Sequence, residues 1–402
     1  MSVADSLREF SRRLDILTEE FENMRLGEVA DTTIGQSGGM GPAGGRVYTR
    51  TGTGVSIAGY GEMVYENHAT TGDDGTVAGK KDMIDFLRAV VYFGYRYNDW
   101  ILFNSEIEFE HASTGSGGEV SVEFAYVELM AAPFANIRAG MLLAPVGIVN
   151  EKHEPSTFFG TLRPQVEQSI IPTTWRANGA GAYGRILPGL GYTAYVLEGL
   201  DATGFSASSG IRGGRQKGAK ALAENFGFAG RIDFYGLPGT TLGASIFTGA
   251  SGQGATDSLG VICANTTVAS IHGEFAWKGI ELRGLYAQTT IGDAGRLSVM
   301  NGEVIGSSMH GWYISGGYDV VPLFDPSSEH YLAPYIQYEQ FNTQAEVSPG
   351  FSANPANDRA IMTIGLMYKP HPNVAFKGDY RDNKNEAGTA INQWNVAVNY
   401  LF

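Results

Sequence analysis

Carboxylates recur at every second position in the segment that begins at Trp100. Glu106, Glu108 and Glu110 share one parity with Asn104, while Ile101, Phe103, Ile107 and Phe109 share the other. Alternate side chains of a β-strand point to opposite faces, so this spacing makes a ribbon with one face for water and one for an apolar medium. Charges arranged in this way can act on a passing solute through their field. Bond-making chemistry finds less support. Seven histidines, His68, His111, His153, His272, His310, His330 and His371, lack metal-ligand spacing, and the single Cys263 excludes an internal disulfide framework and multi-cysteine metal sites. No serine sits on a strand-to-helix nucleophile elbow, which leaves a hydrolase reading little to rest on. Gly179-Ala-Gly181-Ala-Tyr-Gly184 meets a dinucleotide fingerprint by letter, but Pro188 follows almost at once and no βαβ unit surrounds it. No cofactor is implied beyond calcium at rim carboxylates, for which no particular residues stand out.

The elements that position such charges are strands. From Val55 onward the chain consists of alternating segments of the length that crosses an outer-membrane hydrocarbon layer when tilted. Sixteen are expected, at 55-66, 83-97, 100-111, 119-131, 134-144, 174-186, 190-200, 227-236, 240-249, 266-277, 280-290, 311-320, 331-341, 358-369, 373-383 and 390-402. Tight turns such as Leu187-Pro188-Gly189, Leu237-Pro238-Gly239 and Lys278-Gly279 alternate with longer loops such as 145-173, 201-226 and 291-310. Short turns on one rim and long loops on the other describe a closed 16-stranded antiparallel transmembrane β-barrel of the outer membrane. An even strand count puts both ends of the barrel chain on the turn side, facing the periplasm.

Composition agrees. Only 17% of residues are charged, against about 25% in soluble domains, as expected if half of each strand faces lipid. Mean hydropathy is -0.11, and no run approaches the roughly 18 apolar residues of a membrane helix. With 28 Lys and Arg against 42 Asp and Glu, the net charge of -14 argues against a nucleic-acid partner. Parity then assigns wall charges to the lumen. The acids are Glu62, Glu66, Glu106, Glu108, Glu110, Glu119, Glu123, Glu198, Asp233, Glu274, Glu281, Glu339 and Asp379; the bases are Arg88, Arg96, Arg138, Arg176, Arg231, Arg283, Arg359, Lys377 and Arg381. They could oppose one another across the passage or pair with neighbours along the wall.

The amino terminus follows another period. Val3, Leu7, Phe10, Leu14, Leu17, Phe21 and Met24 fall at alternating intervals of 4 and 3, a heptad seam. Residues 1–26 therefore read as an oligomeric coiled coil in the periplasm, or as an amphipathic helix lying on its own protein. The glycine-rich stretch 27–54 reads as a flexible linker.

Gly59-Tyr-Gly-Glu62, Phe103-Asn-Ser-Glu-Ile-Glu-Phe-Glu110, Asn136-Ile-Arg-Ala-Gly140 and the terminal Phe402 after an alternating strand resemble trimeric 16-stranded outer-membrane porins. The likeness is to the phosphate-selective porin superfamily and to dicarboxylate-type porins with an amino-terminal coiled coil. The resemblance implies a homotrimer in outer-membrane lipid, recognition of Phe402 by the barrel assembly machinery, and no enzymatic activity. It implies passive diffusion of small hydrophilic solutes or ions through a constriction made by the third long loop, 145–173. Glu151, Lys152, His153 and Arg163 are that loop's candidates, joined on the wall by Arg88, Arg96, Arg138, Arg176, Glu106, Glu108, Glu110, Lys377 and Arg381. A loop covering the outer mouth is the alternative. A barrel sheathing a partner protein and an outer-membrane hydrolase are the competing functions.

Overall fold

The computed structural model describes residues 38–402 apart from Thr114 and Ser116; the seam from Val3 to Met24 lies outside the described residues. Sixteen strands run in chain order around a closed barrel: β1 (Gly54–His68), β2 (Met83–Arg96), β3 (Ile101–Glu110), β4 (Val120–Ala132), β5 (Ala135–Leu143), β6 (Arg176–Leu187), β7 (Leu190–Glu198) and β8 (Phe226–Leu237), then β9 (Thr240–Ala250), β10 (Asn265–Trp277), β11 (Ile280–Ile291), β12 (Gly306–Tyr318), β13 (Tyr331–Val347), β14 (Asp358–His371), β15 (Val374–Asn385) and β16 (Gln393–Leu401). Each is antiparallel to the next, and β16 closes on β1 with Tyr60 opposite Leu401. Closure leaves no free edge, so wall backbone groups pair within the sheet, as hydrocarbon requires. No helix among the described residues is long and apolar enough to cross a membrane.

All sixteen expected strands are present, with shifted ends. β12 begins at 306 rather than 311, and β13 runs to 347 rather than 341. The loop between β11 and β12 contains an unforeseen helix, Ala294–Asn301, closed by Gly302 at φ +73°. At the turn rim, Gly239 takes φ +66° and lies directly against the Ala276 carbonyl, which is why Pro-Gly closes that hairpin.

Ile57, Ile137, Ile271, Ile314, Ile336 and Ile364 stand outward and exposed. Their neighbours of opposite parity, among them Ala58, Arg138, Ser270 and Gln337, turn inward and are buried. Such an apolar exterior around a polar interior is the inverse of a soluble fold. One break in the period matters. Opposite Glu106 and Ile107, β4 offers Phe124 and Val122, so Glu123 is an extra residue in a bulge. The bulge turns Glu123 and Phe124 both inward and shifts the lumenal parity to Tyr126 and Glu128. An uninterrupted two-residue count therefore misses Glu128.

Residues 38–50, part of the stretch expected to be a flexible linker, are packed inside the barrel. Met40, Ala43 and Val47 are buried, and Arg46–Thr49 form a helical turn. The glycines that suggested flexibility serve close packing: a Cβ at Gly41 would lie 2.6 Å from the Glu154 carboxyl carbon.

Candidate functional site

The loop between β5 and β6 folds into the lumen and crosses it. Asn150 gathers the two ends of the loop, donating to the carbonyls of Ala144 at 2.7 Å and Trp175 at 3.0 Å and accepting the Trp175 amide at 2.6 Å. Glu167 then acts as an internal hub. Its carboxylate accepts the amides of Ile148 and Val149 at 2.8 and 2.7 Å and the hydroxyl of Tyr313 on β12 at 2.6 Å. Contacts to the far wall complete the crossing. Thr161 donates its amide to Asp379 at 2.8 Å, Val166 donates to Glu339 at 3.1 Å, and Arg283 donates to the Thr157 carbonyl at 2.8 Å. Lys377 donates to the carbonyls of Pro155, Phe158 and Gly160. The Trp175 ring meets Phe247 with centroids 4.6 Å apart, and Phe159 stacks on Tyr335 at 5.3 Å. Apolar anchors and charged wall residues thus hold the same loop.

This docking reassigns several wall charges. Glu106 is fully buried and bonds His153 Nε2 at 2.9 Å, while His153 Nδ1 meets the Asn150 carbonyl at 2.9 Å. Lys152 pairs with Glu274 at 3.4 Å and Glu151 with Arg231 at 3.6 Å. Glu106, His153, Lys152, Glu151 and Lys377 are therefore joints between loop and wall. Arg96 and Arg138 are covered by residues 38–50: Arg138 donates to the Gly38 carbonyl at 2.6 Å and to the Tyr48 hydroxyl at 2.9 Å, and Arg96 reaches the Tyr48 carbonyl at 3.4 Å.

The remaining wall charges pair mostly with neighbours, the second of the two arrangements parity allowed. Arg88 bridges Glu62 at 3.1 Å and Glu108 at 3.2 Å, Arg176 meets Glu123, and Arg381 meets Glu339 at 3.4 Å. Arg138 meets Glu128 at 2.6 Å, Arg231 meets Asp233 at 2.6 Å, and Arg283 meets Glu274 at 2.7 Å. Glu110 is half-buried at the loop end of β3. Glu119 lies just outside β4, half-exposed beside Lys217 at 3.5 Å.

On the wall, Arg96, Arg359 and Lys377 meet carbonyls rather than a carboxylate among the described residues, and three arginines of the loops do the same. Arg163 is half-buried on the infolded loop and donates to the His153 carbonyl at 3.1 Å. Arg212 and Arg215 come from the loop between β7 and β8. Arg212 donates to the Thr173 carbonyl, and Arg215 to the carbonyls of Pro172 and Thr174. Among the described residues, none of the three has a carboxylate within 4 Å. Burial pushes Arg212 down to about 10, with the Arg163 charge adding to the effect, and pushes Arg215 down to about 9, with Arg212 adding. Glu110 and Glu123 offset only part of this repulsion. Neither Arg212 nor Arg215 carried a sequence signal, since parity does not extend into loops.

On the loop-rim side lies a cavity of about 670 Å³ bordered by Lys80, Lys81, Arg359, Arg381 and Lys384, with Glu66 the one acidic residue on its border among the described residues. Beneath the infolded loop, a narrower cavity of about 50 Å³ is bordered by Pro42, Lys152, Phe158, Glu274 and Arg283. Among the described residues, no three His, Cys, Asp or Glu side chains are grouped to hold a metal.

No family model matches this sequence. An uncharacterized protein of Aquifex aeolicus is 36% identical over 398 residues, covering 95% of this chain and 87% of that protein. Among solved structures, OmpF of Salmonella typhi aligns with a TM-score of 0.58 at 15% identity, covering 87% of this chain and 98% of its own. An anion-selective porin from Comamonas acidovorans aligns at 0.56 with 13% identity, covering 87% and 100%. The outer-membrane channel DcaP of Acinetobacter baumannii aligns at 0.54 with 12% identity, covering 87% and 98%. The chain belongs to one family with the Aquifex aeolicus protein, and its closed barrel has the fold of the outer-membrane porins.

Proposed function

We propose that this protein is a non-enzymatic outer-membrane channel that lets small hydrophilic solutes diffuse through a charged constriction, with anions favoured over cations. The observation that carries the preference is the contrast between wall and loops. Six wall arginines are neutralised in short ion pairs, whereas Arg163, Arg212 and Arg215 converge on loop carbonyls with no carboxylate within 4 Å among the described residues. Carbonyl acceptors orient a guanidinium but leave its charge in place. Lys80, Lys81 and Arg359 on the border of the outer cavity support the same direction, since they raise the local concentration of anions before they reach the narrow part, while Arg381 is paired with Glu339 and Lys384 with Asp73 and Asp382. The fold neighbours include one described as an anion-selective porin, which fits this reading.

The same reading puts the barrel in outer-membrane lipid as a homotrimer. Residues 1–26 would join three copies on the periplasmic side, and Phe402, exposed at the end of the chain, would be the handle for the barrel assembly machinery. The direct test is planar-bilayer recording of the purified protein. Stepwise conductance with a reversal potential on the chloride side in a potassium chloride gradient is expected. A folded preparation that stays silent would remove the channel reading, and a potential on the potassium side would remove the anion preference.

A further inference from the structure

A second segment shares the lumen with the infolded loop. Residues 38–50 form a hairpin-like strap whose two ends lie together, Gly38 against the Tyr48 ring, near the turn rim. Its middle reaches up to the underside of the loop. There the buried Glu154 carboxylate accepts the Ala43 amide at 3.0 Å and the Gly44 amide at 2.8 Å. The Gly44 carbonyl accepts Asn104 at 3.0 Å. At the base, Tyr48 donates to Glu128 at 2.7 Å while Arg138 holds the Gly38 carbonyl. The strap therefore has polar anchors at top and bottom and an apolar side, Met40, Ala43 and Val47, sealed on the wall. Its other side is open: Pro42 is exposed and borders the narrow cavity beneath the loop, facing Phe158, Glu274 and Arg283.

We infer that residues 38–50 are a lumen strap that narrows the turn-rim half of the channel and sets its size limit, and that withdrawing the strap widens the passage. This rests on the channel reading above. The two anchors come from different sources, Glu154 from the constriction loop and Arg138 with Glu128 from the wall, so the strap also braces the loop from below. Every lumen-filling contact it makes removes cross-section from the path of a solute.

Replacing residues 39–49 by a Gly-Ser chain of equal length keeps the connection to β1 and removes the anchors. Single-channel conductance should rise about 1.5- to 2-fold, because conductance follows the open cross-section, and vesicle swelling should admit larger neutral sugars. A folded replacement variant with unchanged conductance and size limit overturns the inference. Should that variant not fold, Pro42→Cys in a Cys263→Ser background decides. Reaction with a bulky thiol reagent should then cut conductance by roughly a third, since the added group enters the narrow part. A thiol that does not react, or a fully labelled channel with unchanged conductance, overturns the strap. If the unaltered protein is itself silent, the channel reading fails first; if it conducts and the variants do not differ from it, only the strap fails.

Discussion

Arg212→Ala is the sharpest test of the anion preference. The guanidinium is half-buried and hydrogen-bonded to the Thr173 carbonyl, so its charge is held in place rather than free to move with solvent. For a permeant ion passing about 5 Å away in water, one unit charge contributes roughly 0.8 kcal/mol, reduced to about 0.5 kcal/mol by screening at 0.1 M salt. The effect has opposite sign for chloride and potassium, so the permeability ratio should fall about fivefold, since about 1 kcal/mol separates the two ions. At about 1 M salt the screening length shrinks to about 3 Å and the variant should approach the unaltered channel. Loss of the single carbonyl bond should cost about 1 kcal/mol of stability, too little to unfold the barrel. The assay is the reversal potential across a planar bilayer at both salt concentrations, with Arg215→Ala measured alongside. Unchanged reversal potentials in both folded variants at low salt would refute the argument that these loop charges act on permeant ions.

Other consequences are separately measurable. Glu167→Ala strips the acceptor from the Ile148 and Val149 amides and from Tyr313; two or three buried donors left unpaired should cost about 3 kcal/mol or more and expose the loop to limited proteolysis in a folded barrel. Burial pushes Glu154 up to about 7, opposed by its amide donors, with Glu106 and His153 beside it and Tyr92 facing it. The folded protein thus holds the proton more tightly than a solvated carboxyl does, so Glu154 contributes stability that is fully present below about pH 4.5 and is lost as pH rises through about 7, while the Ala43 and Gly44 amides work against that loss. Resistance of the barrel to urea unfolding should accordingly be higher at about pH 5 than at about pH 8, a difference that Glu154→Gln should reduce. On the wall, Ile336→Arg faces lipid and should lower resistance to urea unfolding in vesicles by about 2 to 4 kcal/mol, whereas Gln337→Arg, one residue away and lumenal, should cost clearly less. Leu14→Asp with Leu17→Asp should dissociate the oligomer seen by crosslinking if residues 1–26 join the copies.

Strand number, handedness of parity and the membrane-facing surface were legible because each is a local property. Lipid demands an apolar residue at every second position, and a tight turn demands Pro, Gly or Asn. Errors arose where local periodicity breaks. The bulge at Glu123 reversed the parity of β4 and concealed Glu128, and the helix at Ala294–Asn301 lay in a stretch without strand alternation. The linker expectation for residues 27–54 followed from glycine content, yet at Gly41 and Gly44 the missing side chain admits Glu154 and Tyr92. Composition does not separate a glycine that lets a chain move from one that lets it pack.

By itself the sequence determined the barrel, its facing and most of the wall charges that turn inward, since these follow from alternation and turn chemistry wherever no bulge interrupts the period. Only the tertiary structure decided which inward charges meet each other, which are covered, and which remain open to a solute. Those outcomes depend on where two loops and the 38–50 segment come to rest inside a closed wall. Glu106 and His153, 47 residues apart, become a joint, and Arg138, 100 residues from Gly38, becomes an anchor. Arg212 and Arg215, which alternation could not place, come to stand beside Arg163 because the loop between β7 and β8 is held by hydrogen bonds to the Pro172, Thr173 and Thr174 carbonyls of the infolded loop.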